Sequence, residues 1–246
     1  MMPPLRKVDG KKTDRSNEPP PTVEGLLLVD KPAGMTSHDV VQHVRRMYGE
    51  RSIGHLGTLD PFATGLLVLL LGRATRLATF LDTEPKVYQA TISFGEETDT
   101  DDATGTVIRT SPLPLKSAFA KAVESLTGDI SQVPPAYSAK SVDGVRAYDA
   151  ARRGVPLELT PVDVVVHGWV LSSVTDDSVS AVITCSGGTY IRALARDLGR
   201  LVGSAAHLAS LRRTRVGAFD VQDASTLENL VADRTRIRSL RVVADA

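Results

Sequence analysis

Gly54-His55-Leu56-Gly57-Thr58-Leu59-Asp60-Pro61-Phe62-Ala63-Thr64-Gly65 runs directly into Leu66-Leu67-Val68-Leu69-Leu70-Leu71. The second half is uninterrupted and apolar over the length of one strand, which is the composition of a strand buried on both faces. The first half is a loop. Gly54, Gly57 and Gly65 permit sharp bends and close approach, and Pro61 pushes Asp60 toward extended backbone. One carboxylate is thereby tied to a rigid support. Asp before Pro is by itself a turn-forming pair; on a loop anchored in a core it is also a candidate nucleophile or base.

Upstream, residues 25–29 read as a short apolar strand, and Asp30-Lys31-Pro32-Ala33-Gly34 turns the chain. A helix follows, capped by Thr36 with Asp39 at the third position of a capping box. It carries Val40, Val41, Val44, Met47 and Tyr48 on one face and is stopped by Gly49. Downstream of the apolar run, a short helix is predicted over 74–81. Residues 86–94 alternate at period two, with Tyr88, Ala90, Ile92 and Phe94 on the face opposite Val87, Gln89, Thr91 and Ser93, a half-buried strand. Residues 106–109 are expected to be its antiparallel return. Helical spacing then covers 116–126. Residues 133–154 form a polar, basic loop passing into a short helix, and long ordered loops of this kind are usually functional. Strands are expected at 162–171, 179–185 and 207–215, with a helix from the Ser186–Thr189 turn to about 202. Residues 226–246 read as a modest amphipathic helix and a short Arg-Val-Val strand.

Strands and helices in this mixture predict an α+β architecture. Residues 1–22 hold five prolines and scattered Lys and Arg with few large apolar side chains, so they are expected to be a disordered tail.

The 246 residues contain a single cysteine, Cys185, which excludes an internal disulfide framework and a cysteine zinc cluster and fits a reducing compartment. No run is long and apolar enough for a membrane helix, and the start lacks a signal-peptide pattern, so a cytoplasmic protein is expected. Lys plus Arg and Asp plus Glu both number 29. Their distribution is uneven: six arginines against one acid between Thr189 and Arg215, and five acids without a base between Glu96 and Asp102. That segregation suits either an anion-binding face or solvated surface charge. The five histidines lack zinc-site spacing, and there is no phosphate-loop, dinucleotide or Gly-x-Ser-x-Gly motif. Chemistry without metal or cofactor is what remains. Arg192 is the expected partner of Asp60, a guanidinium fork able to aim the carboxylate. Tyr190, two residues earlier, would point the same way if the chain there were extended.

These residues also resemble a known family, the TruB tRNA pseudouridine synthases, which modify uridine 55 in the T-arm. The resemblance rests on Val29-Asp30-Lys31-Pro32-x-Gly34-x-Thr36-Ser37, the Gly54–Gly65 loop, Lys86-x-Tyr88, and Pro134-Pro135-x-Tyr137-Ser138-Ala139. Gly188-Thr189-Tyr190-Ile191-Arg192 and His207-Leu208-x-x-Leu211-Arg212-Arg213-Thr214 complete it. These pieces occur in family order over residues 24–217, and Leu56 and Phe62 are bulkier than the family's usual choices.

The resemblance implies a pseudouridine synthase fold, a mixed and mostly antiparallel sheet flanked by helices and loops. It implies Asp60 as nucleophile, Arg192 as its partner, and Tyr88 stacking on the target uracil, with a further role as a base. His55 is implied to help fill the space left by the everted base, and Tyr190 and Leu211 to line the uridine pocket. Lys140 and Arg146, on a mobile insertion, and Arg212 and Arg213 are expected to meet the tRNA backbone. It implies a catalytic domain over residues 23–217 and leaves 218–246 as a short C-terminal segment, in which the RNA-binding module that family members often carry is expected to be absent or vestigial. The resemblance further implies a monomer acting on the tRNA T-arm with no obligate protein partner. Two alternatives stay open: a dyskerin-like, guide-RNA-dependent synthase, and a tRNA-binding or folding protein without turnover.

Overall fold

The computed structural model describes residues 23–138, 140–142, 144–155, 157–230 and 236–239. The chain begins with β1 (Gly25–Lys31), α1 (Ser37–Tyr48), β2 (Ile53–Leu56), β3 (Thr64–Leu71) and β4 (Lys86–Phe94). There follow β5 (Glu96–Thr98), β6 (Val107–Thr110), α2 (Phe119–Ser125), β7 (Gly128–Gln132), β8 (Ser141–Val142), β9 (Val145–Arg146) and α3 (Ala147–Arg152). The last elements are β10 (Val162–Val174), β11 (Ser178–Cys185), α4 (Ile191–Leu201), β12 (Ala206–Val216), β13 (Phe219–Asp220) and β14 (Ser225–Thr226).

The main sheet runs in the order β14, β1, β3, β12, β4, β11, β10, β7, with β2 also paired to β3 and β13 to β12. Only the β1–β14 and β3–β12 pairings are parallel; the rest are antiparallel. The apolar run explains the position of β3. Leu67, Leu69 and Leu71 pack with α1 on one face, while Leu66, Val68 and Leu70 pack with Leu56, Val216 and Phe219 on the other. Both faces being covered, no polar residue is needed for alternation. A third cluster joins Tyr88, Ala90, Ile92 and Phe94 of β4 to α2 and α4.

The α1 cap forms as the sequence implies: Asp39 N–H donates to Thr36 Oγ1 at 3.0 Å, and Thr36 N–H donates to Asp39 Oδ2 at 2.9 Å. Gly49 closes the helix at φ 67°. Leu56 is buried and Phe62 packs on the α4-side core, so both bulky choices serve packing.

Two sequence expectations are corrected. The helix over 74–81 is a 3₁₀ turn at Gly72–Leu77: Ala74 alone is buried there, and Phe80 is 81% exposed, so no apolar stripe sustains a longer helix. The 106–109 segment does not return along β4, because β11 and β12 occupy both edges of β4; β6 pairs with β5 instead. Residues beyond 217 also join the sheet. β14 lies parallel to Val29 and Asp30, and Arg238 bridges to Leu26. The Arg241-Val242-Val243 strand, much of the helix expected in 226–246, and the 1–22 tail lie outside the described residues.

Candidate active site

The Asp60 loop is held through its backbone groups by partners from several elements. Arg213 Nη2 donates to Gly57 O at 3.0 Å and Nη1 to Thr58 O at 3.3 Å. Ser37, the first residue of α1, brackets Leu59: its hydroxyl donates to Leu59 O at 3.2 Å and accepts from Leu59 N–H at 2.9 Å. Ala63 N–H closes a turn on Asp60 O at 3.1 Å. Pro61 O accepts from Gly34 N–H at 2.8 Å and from Lys31 Nζ at 3.2 Å. Buried backbone groups require such partners, and here they also fix the Asp60 side-chain direction. Lys31 is fully buried and further donates to Pro32 O and Met35 O; burial pushes its ammonium down to about 8, against the pull of Asp60.

Arg192 meets Asp60 as expected. Nε donates to Oδ2 at 2.9 Å and Nη2 to Oδ1 at 3.1 Å, a bidentate fork. The remaining Arg192 donors reach Thr100 O and Tyr137 O, both at 2.9 Å, and Asp102 lies 3.7 Å away. Arg192 is 5% exposed, whereas the Asp60 side chain is 34% exposed. The guanidinium therefore stands behind the carboxylate and leaves it open to a ligand.

The charge segregation along the chain resolves into pairing. Arg192, Arg196 and Arg200 recur every four residues on one face of α4 and meet the acidic segment. Arg196 Nη1 donates to Asp101 at 2.9 Å and Arg200 Nη2 to Glu97 at 2.6 Å. Asp101 sits at φ 59°, and burial pushes its carboxyl up to about 6 although Arg196 and Arg192 oppose this. This part of the arginine-rich segment is not an anion-binding face; its charge is spent internally.

Tyr88 is buried on the α4 side of β4 opposite Arg213, and burial raises its phenol above the ordinary value of 10.0. Leu211 pairs with Ala90 two positions along the same ladder. Asp60 contributes to the electrostatics of both Tyr88 and Tyr190. Tyr190 is the N-cap of α4, so it and Arg192 do not share an extended strand as the spacing alone suggested. Gln132, 1% exposed and not singled out from sequence, orients it: Oε1 accepts from Tyr190 N–H at 2.8 Å and Nε2 donates to Tyr190 O at 3.1 Å. His55 is half-buried on β2; burial, then Arg213, lowers its pKa below 6.5.

The two arginines expected to face RNA both have partners within the protein. Arg213 is 1% exposed and donates to Leu66 O as well as to the loop carbonyls, so it cannot reach a phosphate. Arg212 is partly exposed and paired with Asp30 at 2.7 Å, which neutralises much of its field. Lys140 is exposed, and the Arg146 side chain lies outside the described residues. An open cleft of about 640 Å³ adjoins the loop through Phe62 and Thr64 and is lined also by Gln89, Ser210, Leu211 and Arg212. Among the described residues, no group of three or more His, Cys, Asp or Glu side chains is placed to hold a metal ion.

Residues 45–191 match the model of the TruB family pseudouridylate synthase N-terminal domain, and residues 192–241 match that of the tRNA pseudouridylate synthase B C-terminal domain. The second match starts inside α4 and spans β12, β13 and β14. The chain is similar to tRNA pseudouridine synthase B of Thermobifida fusca, at 48% identity over 233 residues, covering 91% of this chain and 80% of that protein. It is similar also to tRNA pseudouridine synthase B of Rhodococcus jostii, at 49% identity over 216 residues, covering 85% and 71%. Among solved structures it is similar to a chain of a Cbf5–Nop10–Gar1 complex, with TM-score 0.69 and 25% identity; the match covers 89% of this chain and 60% of that one.

Proposed function

From a chain that belongs to the TruB family of pseudouridylate synthases, we propose a tRNA pseudouridine synthase that isomerises uridine 55 of the T-arm, with Asp60 as nucleophile. The observation that carries the reading is the fork of a buried Arg192 on an accessible Asp60. A binding protein has no use for a carboxylate aimed in this way, whereas a nucleophile needs a fixed direction of attack.

A uridine inside a folded T-loop must leave its stack before any side chain reaches it, at a cost of a few kcal/mol. Stacking on the face of Tyr88 offsets this by about 1–3 kcal/mol. Burial raises the Tyr88 phenol above its ordinary value, so the pocket disfavours the phenolate and suits the ring to stacking. Tyr190, Leu211 and His55 complete the pocket, and the 133–154 segment with Lys140 and Arg146 meets the RNA. The C1′–N1 bond breaks, a C1′–C5 bond forms, the C5 hydrogen departs to water and N1 gains a proton, so no oxidant or reductant is required.

The test is tRNA transcript tritiated at uridine C5, incubated with the protein alone. Release of label from position 55, abolished in Asp60→Asn, supports the reading. A second reading, guide-RNA-dependent modification, draws on the likeness to a chain of the Cbf5–Nop10–Gar1 complex; label released only when a guide RNA and partner proteins are added would favour it. Tight tRNA binding without release under any condition would favour a folding protein.

A further inference from the structure

The Lys86-x-Tyr88 motif has a first member that the proposed chemistry does not use. Lys86 opens β4 and, by strand alternation, lies on the face of Tyr88, opposite Cys185 in the ladder. Its side chain is half-buried, yet it forms no ion pair or hydrogen bond among the described residues. Two glycines make its room. A Cβ on Gly57, in the Asp60 loop, would stand 3.6 Å from Lys86 Cε; one on Gly187 would stand 3.0 Å from Nζ. The ammonium thus lies between the Asp60 loop and the turn that leads into α4.

Neighbouring negative charge offsets it only in part, since Glu84 attracts the ammonium without pairing with it. Glu84 directs Oε1 to Gly187 N–H at 2.8 Å and makes no ion pair with Lys86. Arg213 adds a second cation nearby, and burial followed by Arg213 lowers the Lys86 pKa. A half-buried ammonium beside another cation is costly unless an anion completes the site. The two cations expected from sequence to hold the RNA backbone near the pocket are unsuited to it: Arg213 is buried and Arg212 is paired with Asp30.

We infer that Lys86 is the phosphate-binding residue of the pocket, taking the phosphodiester of a nucleotide whose base lies against Tyr88. This rests on the tRNA reading above and supplies what that reading lacked, a free cation beside the everted base. Two residues of strand separate Lys86 from Tyr88, about 7 Å, so one nucleotide can touch both. A lysine suits the task because a compact ammonium meets a phosphate from any direction as a point charge.

The experiment measures tRNA binding across a salt series in an Asp60→Asn background, so that turnover does not intervene. Adding Lys86→Met, or Lys86→Gln as a second uncharged variant, should weaken binding and reduce the slope of log K against log salt by about 0.7–0.9, the loss of one phosphate contact. Lys86→Arg should restore the slope. With Asp60 intact, Lys86→Met should raise KM more than it lowers kcat. Slopes unchanged in both uncharged variants, with folding confirmed by thermal denaturation, would overturn the assignment to phosphate. A parent protein that neither binds nor modifies tRNA would instead sink the tRNA reading itself.

Discussion

Arg192 and Asp60 stand 132 residues apart and meet through a two-pronged fork, at 2.9 Å and 3.1 Å, while the same guanidinium holds Thr100 O and Tyr137 O. One side chain therefore joins the candidate nucleophile, the acidic turn before β6 and the root of the 133–154 segment. Because the guanidinium fork is planar and a lysine ammonium is a point charge, Arg192→Lys keeps the charge and loses the geometry. The expected result is a fall in kcat of about two orders of magnitude, the scale for a misplacement near 1 Å. Single-turnover kinetics check it, and near-normal turnover would remove Arg192 from the mechanism.

Arg213 gives a contrasting expectation, because all its donors serve the protein interior. Arg213→Met should orphan the carbonyls of Gly57, Thr58 and Leu66 and cost about 3 kcal/mol or more of stability. Urea denaturation measures this. The salt slope of tRNA binding, taken on the folded fraction, should stay at the wild-type value; a reduced slope would return Arg213 to the RNA interface.

The contrast shows what the sequence could convey. β3 was legible because six consecutive apolar residues have one economical placement, and α1 because Thr36 and Asp39 cap it locally. The Asp60–Arg192 pairing was legible through a guanidinium's fitness for a carboxylate and through family resemblance. The fate of Arg213 was not, since Arg212 and Arg213 are adjacent and chemically alike. On a strand their side chains alternate, sending one to Asp30 and the other under the loop. Gln132 was equally hidden, because bracketing one residue's backbone 58 positions away leaves no local pattern. The β5–β6 pairing escaped because occupancy of both β4 edges depends on the order of the whole sheet.

His55 gives a pH dependence with a definite sign. Burial, then Arg213, lowers its folded pKa below the ordinary 6.5, so on acidification the unfolded chain takes up this proton first. Stability supplied by neutral His55 is present above 6.5 and is lost as pH falls below it. The wild-type protein should therefore lose more stability between pH 7 and pH 5 than His55→Gln does. Equal losses in parallel urea titrations would show that His55 does not remain neutral in the fold.

Gln132 tests whether the start of α4 is set from outside the helix. Tyr190 caps α4 without a side-chain cap of its own. Its carbonyl already accepts from Leu194 N–H at 3.1 Å, but its N–H depends on Gln132 Oε1. Gln132→Ala should leave that part-buried donor unpaired and cost about 1 kcal/mol. Since Arg192 lies in the first turn of the same helix, kcat should fall as well. Gln132→Glu keeps an acceptor for Tyr190 N–H but cannot donate to Tyr190 O, and it introduces a buried charge. It should retain more of the helix start than Ala does while still losing stability to desolvation. Thermal denaturation with kcat measured on the same samples separates the two effects: an unaltered melting point in Gln132→Ala would mean that α4 sets its own first turn.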